Sequence, residues 1–321
     1  MGVVEAPLLV EHGAMATLHG AQTWFDRPAA RDWVDTAPLS AAREFHRSLP
    51  GYSPTPLVAL PPLAEELEVA SVLIKDESTR LGLPAFKVLG ASWAVARIVT
   101  ARTGAETKLP ALRAAVAEGG LRLVTATDGN HGRAVAHMAK LLSLESTVFV
   151  PAVMTEEAAG AIAAEGAEVI RTDLDYDATV ATAAQFAAQE PDRELVQDTA
   201  WDGYEQVPAW IVEGYDTLLD EMDQQVDDLP DLVVVPVGVG SLAQAVVSHY
   251  RRRDDAHPAV LAVEPDTAAC VLQSLRSGAP VVVPTGATVM AGLNCGTVSS
   301  AAWPVLHSGC DAAVAVADTA A

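Results

Sequence analysis

Residues 122–142 read RLVTATDGNHGRAVAHMAKLL, and the fold follows from this stretch. Arg122–Ala126 is a short apolar, β-branched run of the kind that makes a strand. The turn Thr127-Asp128-Gly129-Asn130-His131-Gly132 follows. Beyond it Val135, Met138, Ala139 and Leu142 recur at i, i+3, i+4 and i+7, one apolar stripe along a helix. A strand, a glycine-bearing turn and an amphipathic helix make half of a parallel βαβ unit. Working outward, similar β-rich runs occupy 71–75, 146–150, 168–171, 232–237 and 260–263. Helical patterns cover 210–222, 242–250 and 267–275. This alternation predicts an α/β fold with two doubly wound, mostly parallel sheets covered by helices on both faces. Two sheets are expected because six or more such units exceed one compact open sheet.

The chain has 321 residues with 20 basic and 42 acidic side chains, a formal net charge of −22. That sign disfavours a nucleic acid or an anionic membrane as the main partner. Half the residues are hydrophobic and 19% are charged, so the chain is expected to fold rather than stay disordered. Three cysteines, Cys270, Cys295 and Cys310, are too few for a disulfide scaffold and lack zinc-type spacing. The N-terminal run MGVVEAPLLVEHGAM is acidic where a secretory signal would be basic, and Ala6 breaks a myristoylation pattern. A cytoplasmic protein is the expectation. From Ser277 to Cys310 there is no charged residue, yet Pro280, Pro284, Gly286, Gly292 and Pro304 forbid a membrane-spanning helix. This segment is expected to be irregular backbone buried beside a core. The first fifty residues, with Trp24, Phe25, Trp33 and Phe45, read as a wrapping arm.

Three places could carry chemistry. The only lysines are Lys75, Lys87, Lys108 and Lys140. Lys87 sits in Ala85-Phe86-Lys87-Val88-Leu89-Gly90-Ala91, among apolar and small residues at a helix start. A lysine desolvated there would be a good nucleophile towards an aldehyde, although a lysine merely snorkelling from a helix end fits the same pattern. Gly238-Val239-Gly240-Ser241-Leu242 joins an apolar strand to a helix, where consecutive N–H groups can face one anion. It lacks the third glycine of a dinucleotide fingerprint and the Gly-Lys-Ser/Thr of a P-loop, so a single phosphate suits it better than a pyrophosphate. The turn 127–132 could hold a carboxylate, with Asp128 as an acid or base. His131 beside one Asp is not a metal set and reads as a turn-stabilising histidine. A reactive amine, a phosphate cradle and a carboxylate turn on one α/β scaffold are what pyridoxal phosphate chemistry on an amino acid requires.

The sequence resembles the fold-type II pyridoxal-phosphate enzymes, and within them the diaminopropionate ammonia-lyases. The segments that carry this are 75–83 (KDESTRLGL) leading to Ala85-Phe86-Lys87, 126–133 (ATDGNHGR), 196–204 (VQDTAWDGY), 238–242, Val263-Glu264-Pro265 and 290–296 (MAGLNCG). The resemblance implies that Lys87 bonds covalently to the cofactor aldehyde and that Asn130 contacts its phenolic oxygen. Gly238, Val239, Gly240, Ser241 and Leu242 would hold its phosphate. Thr127, Gly129, Asn130 and His131 would bind the substrate carboxylate. Asp128 and Asp198 would face the amino-bearing end, with Asp128 a second catalytic base opposite Lys87. The expected reaction is α,β-elimination of 2,3-diaminopropionate, a small amino acid, to pyruvate and ammonia. A serine/threonine dehydratase and an inactive pseudoenzyme are the alternatives.

The resemblance further implies a homodimer with the site between two domains: residues 1–88 with 215–321 as a large cofactor-binding domain, and 89–214 as a small one. No Gly-Glu-Ser-Gly-type segment for the pyridine nitrogen is found. The chain is therefore expected to be incomplete at its C-terminus, exposing apolar backbone around 281–306.

Overall fold

A computed structural model describes residues 23–38, 40–127, 129–253 and 257–321. Asp128 and residues 1–22, including the N-terminal run weighed as a leader, lie outside the described residues. The strands are β1 (Trp24–Asp26), β2 (Leu57–Ala59), β3 (Leu73–Lys75), β4 (Arg122–Ala126), β5 (Glu145–Val150), β6 (Glu168–Arg171), β7 (Arg193–Leu195), β8 (Leu232–Pro236), β9 (Ala259–Pro265) and β10 (Ala312–Val316). The helices are α1 (Ala42–Arg47), α2 (Pro61–Glu66), α3 (Lys87–Thr103), α4 (Leu109–Val116), α5 (Asn130–Leu142) and α6 (Glu156–Ala164). They continue with α7 (Tyr176–Ala188), α8 (Gln206–Gln225), α9 (Ser241–Arg251), α10 (Cys270–Ser277) and α11 (Trp303–Gly309).

The fold is α/β with two mostly parallel sheets. One runs β6-β5-β4-β7 and is wholly parallel. The other runs β1-β10-β9-β8, parallel except for β1, which pairs antiparallel with β10. Part of the supposed arm is therefore a sheet strand. The run at 71–75 joins neither sheet: β3 pairs antiparallel with β2 in a separate two-stranded sheet, the chain entering through Pro54-Thr55-Pro56 and returning alongside β2 after the short helix α2.

Helices cover both faces of the first sheet. Val148 and Val150 pack with Ala136 and Ile162 of α5 and α6, while Val124, Ala126 and Phe149 pack with Ala183 and Ala187 of α7. The second sheet is covered on the face of Val233, Val235, Val260, Ala262 and Ala313, which share a core with α9 and α10. Its other face carries Leu232, Val234, Leu261 and Val314. There Leu232 and Val234 are 50% and 56% exposed.

The core continues between the sheets through α3 and α8. These helices touch backbone to backbone: a Cβ on Gly214 would lie 2.5 Å from the Leu89 carbonyl oxygen, and one on Gly90 2.6 Å from Tyr215. Helix α8 also crosses residue 214, the expected limit of a small domain.

The charge-free segment 277–310 is irregular until α11, as expected, but its first half is not buried. Val282 and Val289 are 75% and 74% exposed, whereas Leu306 is buried. A lack of charge records what a segment can tolerate. It does not say what covers it.

Candidate active site

The turns with chemical potential all lie beyond the carboxyl ends of parallel strands, where open α/β sheets bind their ligands. Thr127 to Asn130 follow β4, residues 196–198 follow β7, and Gly238 to Gly240 follow β8. Lys87 opens α3, and the residues leading to it are pinned by buried charges. Arg80, on that approach, donates to both oxygens of Glu221 on α8 at 2.7 Å and to Glu77 at 2.6 and 2.8 Å. Lys75 donates to Glu221 at 2.8 Å and Tyr52 to its other oxygen at 2.8 Å. Burial works to raise the Glu221 carboxyl, but the hydrogen bonds from Arg80 and Lys75 outweigh it and hold it at about 2.

Asp198 is the point of convergence. Lys87 Nζ donates to its Oδ2 at 2.6 Å, and His131 Nδ1 stands 3.7 Å from the same oxygen. The backbone carbonyl of Asp198 accepts from Ser241 Oγ at 2.9 Å. One residue thus links the lysine, the turn at 127–132 and the glycine loop. It is held there by its neighbour: the side-chain oxygen of buried Gln197 accepts from the Ala126 N–H and from Thr125 Oγ1, both at 3.1 Å. Burial works to raise the Asp198 carboxyl, but His131 and Lys87 outweigh it and hold it well below the usual carboxylate range.

Lys87 is not enclosed in an apolar pocket. Its side chain is 25% exposed and ion-paired. An ammonium at a helix N-terminus opposes the helix dipole, and Asp198 offsets that.

The loop 238–242 has the form of an anion cradle. Gly240 has φ of +100°, and a Cβ there would meet Leu306 at 2.9 Å. A Cβ on Gly238 would meet Cys295 Sγ at 3.1 Å and the Gly292 carbonyl oxygen at 3.4 Å. The loop must therefore be bare backbone, and the first N–H groups of α9 have no acceptor within the helix. The buried Thr199 Oγ1, next to Asp198, and Asn294 Oδ1, beside the Gly238 contact, have no hydrogen-bond partner among the described residues. Glycine backbone, free helix N–H groups and orphaned polar atoms beside a lysine suit a phosphorylated aldehyde.

Of the residues expected at the site, Lys87, His131, Asp198 and Ser241 come together. Thr127 is buried, with its hydroxyl accepting from the Gly129 N–H at 2.9 Å. Asn130 is exposed and lines a cavity of about 240 Å³ with Gly129, Arg133 and Thr155, on the α6 side of the turn. Asp128 lies outside the described residues. The His131 ring turns inward, Nε2 lying 2.7 Å from the Val196 carbonyl oxygen, so it does more than brace the turn. Tyr215 was not anticipated. It is buried on α8, close enough to Lys87 and Asp198 to feel both charges, yet its spacing with Ile211 and Leu218 reads only as core. None of the three cysteines is in a disulfide; Cys270 and Cys310 are buried and Cys295 is half-buried. Among the described residues, no cluster could hold a metal ion, and no helix is long and apolar enough to cross a membrane.

Comparison with known proteins agrees with this chemistry. The family described as pyridoxal-phosphate dependent enzyme matches residues 49–321. Diaminopropionate ammonia-lyase of Escherichia coli (strain K12) is 39% identical over 290 residues, covering 85% of this chain and 72% of that protein. The crystal structure of the E. coli enzyme with an aminoacrylate-PLP azomethine reaction intermediate superposes with a TM-score of 0.83 at 35% identity, over 92% of this chain and 77% of that one. Threonine deaminase isoform 2 of Solanum lycopersicum shares the fold, with a TM-score of 0.69 at 20% identity over 88% of this chain and 77% of that one.

Proposed function

The chain belongs to the pyridoxal-phosphate dependent enzyme family, and from that premise we propose that it eliminates ammonia from 2,3-diaminopropionate, the released enamine then taking up water to give pyruvate and a second ammonia. Pyridoxal 5'-phosphate is the cofactor of that family. The observation that carries the reading is the convergence on Asp198: the Lys87 amine on its carboxylate and the glycine loop, through Ser241, on its carbonyl.

Bound at this site, the cofactor would delocalise the electron pair left when an amino acid loses its α-proton. Lys87 would hold it covalently, and the N–H groups from Gly238 to Leu242 would hold its phosphate. Asn130 is assigned to its phenolic oxygen. The backbone at Thr127, Gly129, Asn130 and His131, at the N-terminus of α5, suits the substrate carboxylate. Lys87 Nζ would take the α-proton, and Asp128, outside the described residues, is assigned as the second base. Asp198, ionised and buried, attracts a cationic β-ammonium group more than a hydroxyl, which favours a diamine. The β-nitrogen has to leave carrying its proton, since an amide ion is not a viable leaving group. Residues 1–88 with 215–321 form the cofactor-binding part in this reading, and 89–214 the smaller part. A cytoplasmic homodimer completes it, and the three cysteines outside any disulfide accord with a reducing compartment.

The test compares pyruvate release from 2,3-diaminopropionate and from serine in the chain loaded with pyridoxal phosphate. Faster release from the diamine is expected; a clear serine preference would overturn the substrate, and no release from either would favour the pseudoenzyme. Lys87→Ala should lose the visible absorbance of the lysine-bound cofactor, and an unchanged spectrum would refute the role of Lys87. Sedimentation of the loaded chain checks the dimer.

A further inference from the structure

Asp198 Oδ2 has two basic neighbours, and only one of them keeps its place when the other bonds the cofactor. Lys87 Nζ lies at 2.6 Å and His131 Nδ1 at 3.7 Å from the same oxygen. In the reading above, the Lys87 nitrogen is consumed in bonding an aldehyde carbon. A nitrogen in a C=N bond keeps at most one proton and no longer offers the three donors of an ammonium. A buried carboxylate that loses those donors depends more on its second neighbour, because a buried carboxylate left uncompensated is strongly unfavourable.

We infer that His131 is the standing counter-cation of Asp198: a positioning residue with both ring nitrogens protonated, which keeps this carboxylate ionised while Lys87 is engaged with the cofactor. The Val196 carbonyl oxygen, 2.7 Å from Nε2, is purely an acceptor, so Nε2 carries a proton. Nδ1 then presents either a lone pair or a second proton to the carboxylate. Next to a buried anion the second proton is favoured. The ring is 2% exposed and tied to the strand extension beyond β7, so it cannot swing into solvent. The other titratable groups around the pair are Lys87 at the head of α3, Tyr204 beyond β7 and Tyr215 on α8. Burial pushes both phenols up, so they stay neutral. Asp128 is a sequence neighbour outside the described residues.

The role during cofactor engagement rests on Lys87 being the attachment point; the protonated ring itself can be read without turnover. The experiment is nitrogen NMR of the full chain labelled at its histidine rings, titrated with and without saturating pyridoxal phosphate, with the His131 signal assigned by its loss in His131→Asn. A ring protonated on both nitrogens near neutral pH is expected. Its midpoint should rise by about one pH unit or more on loading with cofactor, and likewise in the unloaded Lys87→Met chain; it should fall by a similar amount in Asp198→Asn. A ring with one proton, on Nε2, in the loaded chain would overturn the inference, as would a midpoint indifferent to Asp198→Asn. Should Asp198→Asn fail to fold, the wild-type chain before and after loading decides it. A chain that takes up no cofactor refutes the functional reading instead, while wild type against Lys87→Met in the unloaded chain still tests His131.

Discussion

In the β6-β5-β4-β7 sheet, α5 and α6 lie on one face and α7 on the other. In the β1-β10-β9-β8 sheet, α9 and α10 cover one face while Leu232 and Val234 of the other lie open. Parallel strands ordinarily need apolar cover on both sides, so the two sheets support the site unequally. The turn at 127–132 leaves a strand clamped from both faces. The glycine loop leaves β8, an edge strand clamped from one, and gains its remaining support from Cys295, Leu306 and the irregular segment that carries them. The half proposed to hold the carboxylate is built into a closed layer. The half proposed to hold the phosphate depends on long-range loop contacts, and such regions open at lower free energy.

A charge placed in the closed sheet should have the largest effect. Val148→Asp puts an unpaired carboxylate in a fully buried position between β5 and α5, and a loss of about 4 kcal/mol or outright failure to fold is expected in a urea melt. A loss below about 1 kcal/mol would break the comparison at its firm end.

The seam between the sheets comes next. Glu221→Gln leaves Arg80 and Lys75 buried without their carboxylate, which costs about 3 kcal/mol. The pH dependence has a definite sign. Glu221 is depressed from its ordinary 4.5 to about 2 in the folded chain, so its contribution is complete above about 4.5 and disappears as the pH falls through about 2. The gap in stability between wild type and Glu221→Gln should therefore shrink on acidification across that window. A constant gap would mean that the cluster is held by packing alone.

The smallest effect belongs to the open face. Val234→Lys should alter stability by less than about 0.5 kcal/mol and reduce binding of a hydrophobic dye such as ANS. A loss comparable to that of Val148→Asp would show that this face is covered in solution, and the contrast between the sheets would vanish.

The closed sheet was the more legible of the two. Arg122–Ala126 and Glu168–Arg171 are read at their observed limits: the first, buried from Leu123 on, shows as an apolar run ending at a turn, and the second, an edge strand, as two β-branched residues between charged ends. Three-residue β7 is too short to show any pattern. The 71–75 run has strand composition, yet composition does not select a partner, and the chain's return along β2 made it part of a separate two-stranded sheet. The charge-free stretch shows the same limit, since apolar character did not ensure cover for Val282 or Val289. At the site, Lys87 and the double-glycine loop could be singled out because a lysine at a helix start and a glycine turn are local features of the sequence. Tyr215 could not, since a buried tyrosine on a helical stripe looks like any core residue.

The order of strands and helices, the glycine bend and the lysine at a helix start were determined by the sequence itself, because each depends on residues a few positions apart and on backbone conformations that side chains permit or forbid. Only the tertiary structure decided that Lys87, His131 and Ser241 share one aspartate. That meeting joins residues 111 positions apart, and long-range contacts arise from packing the whole chain, which no local pattern encodes.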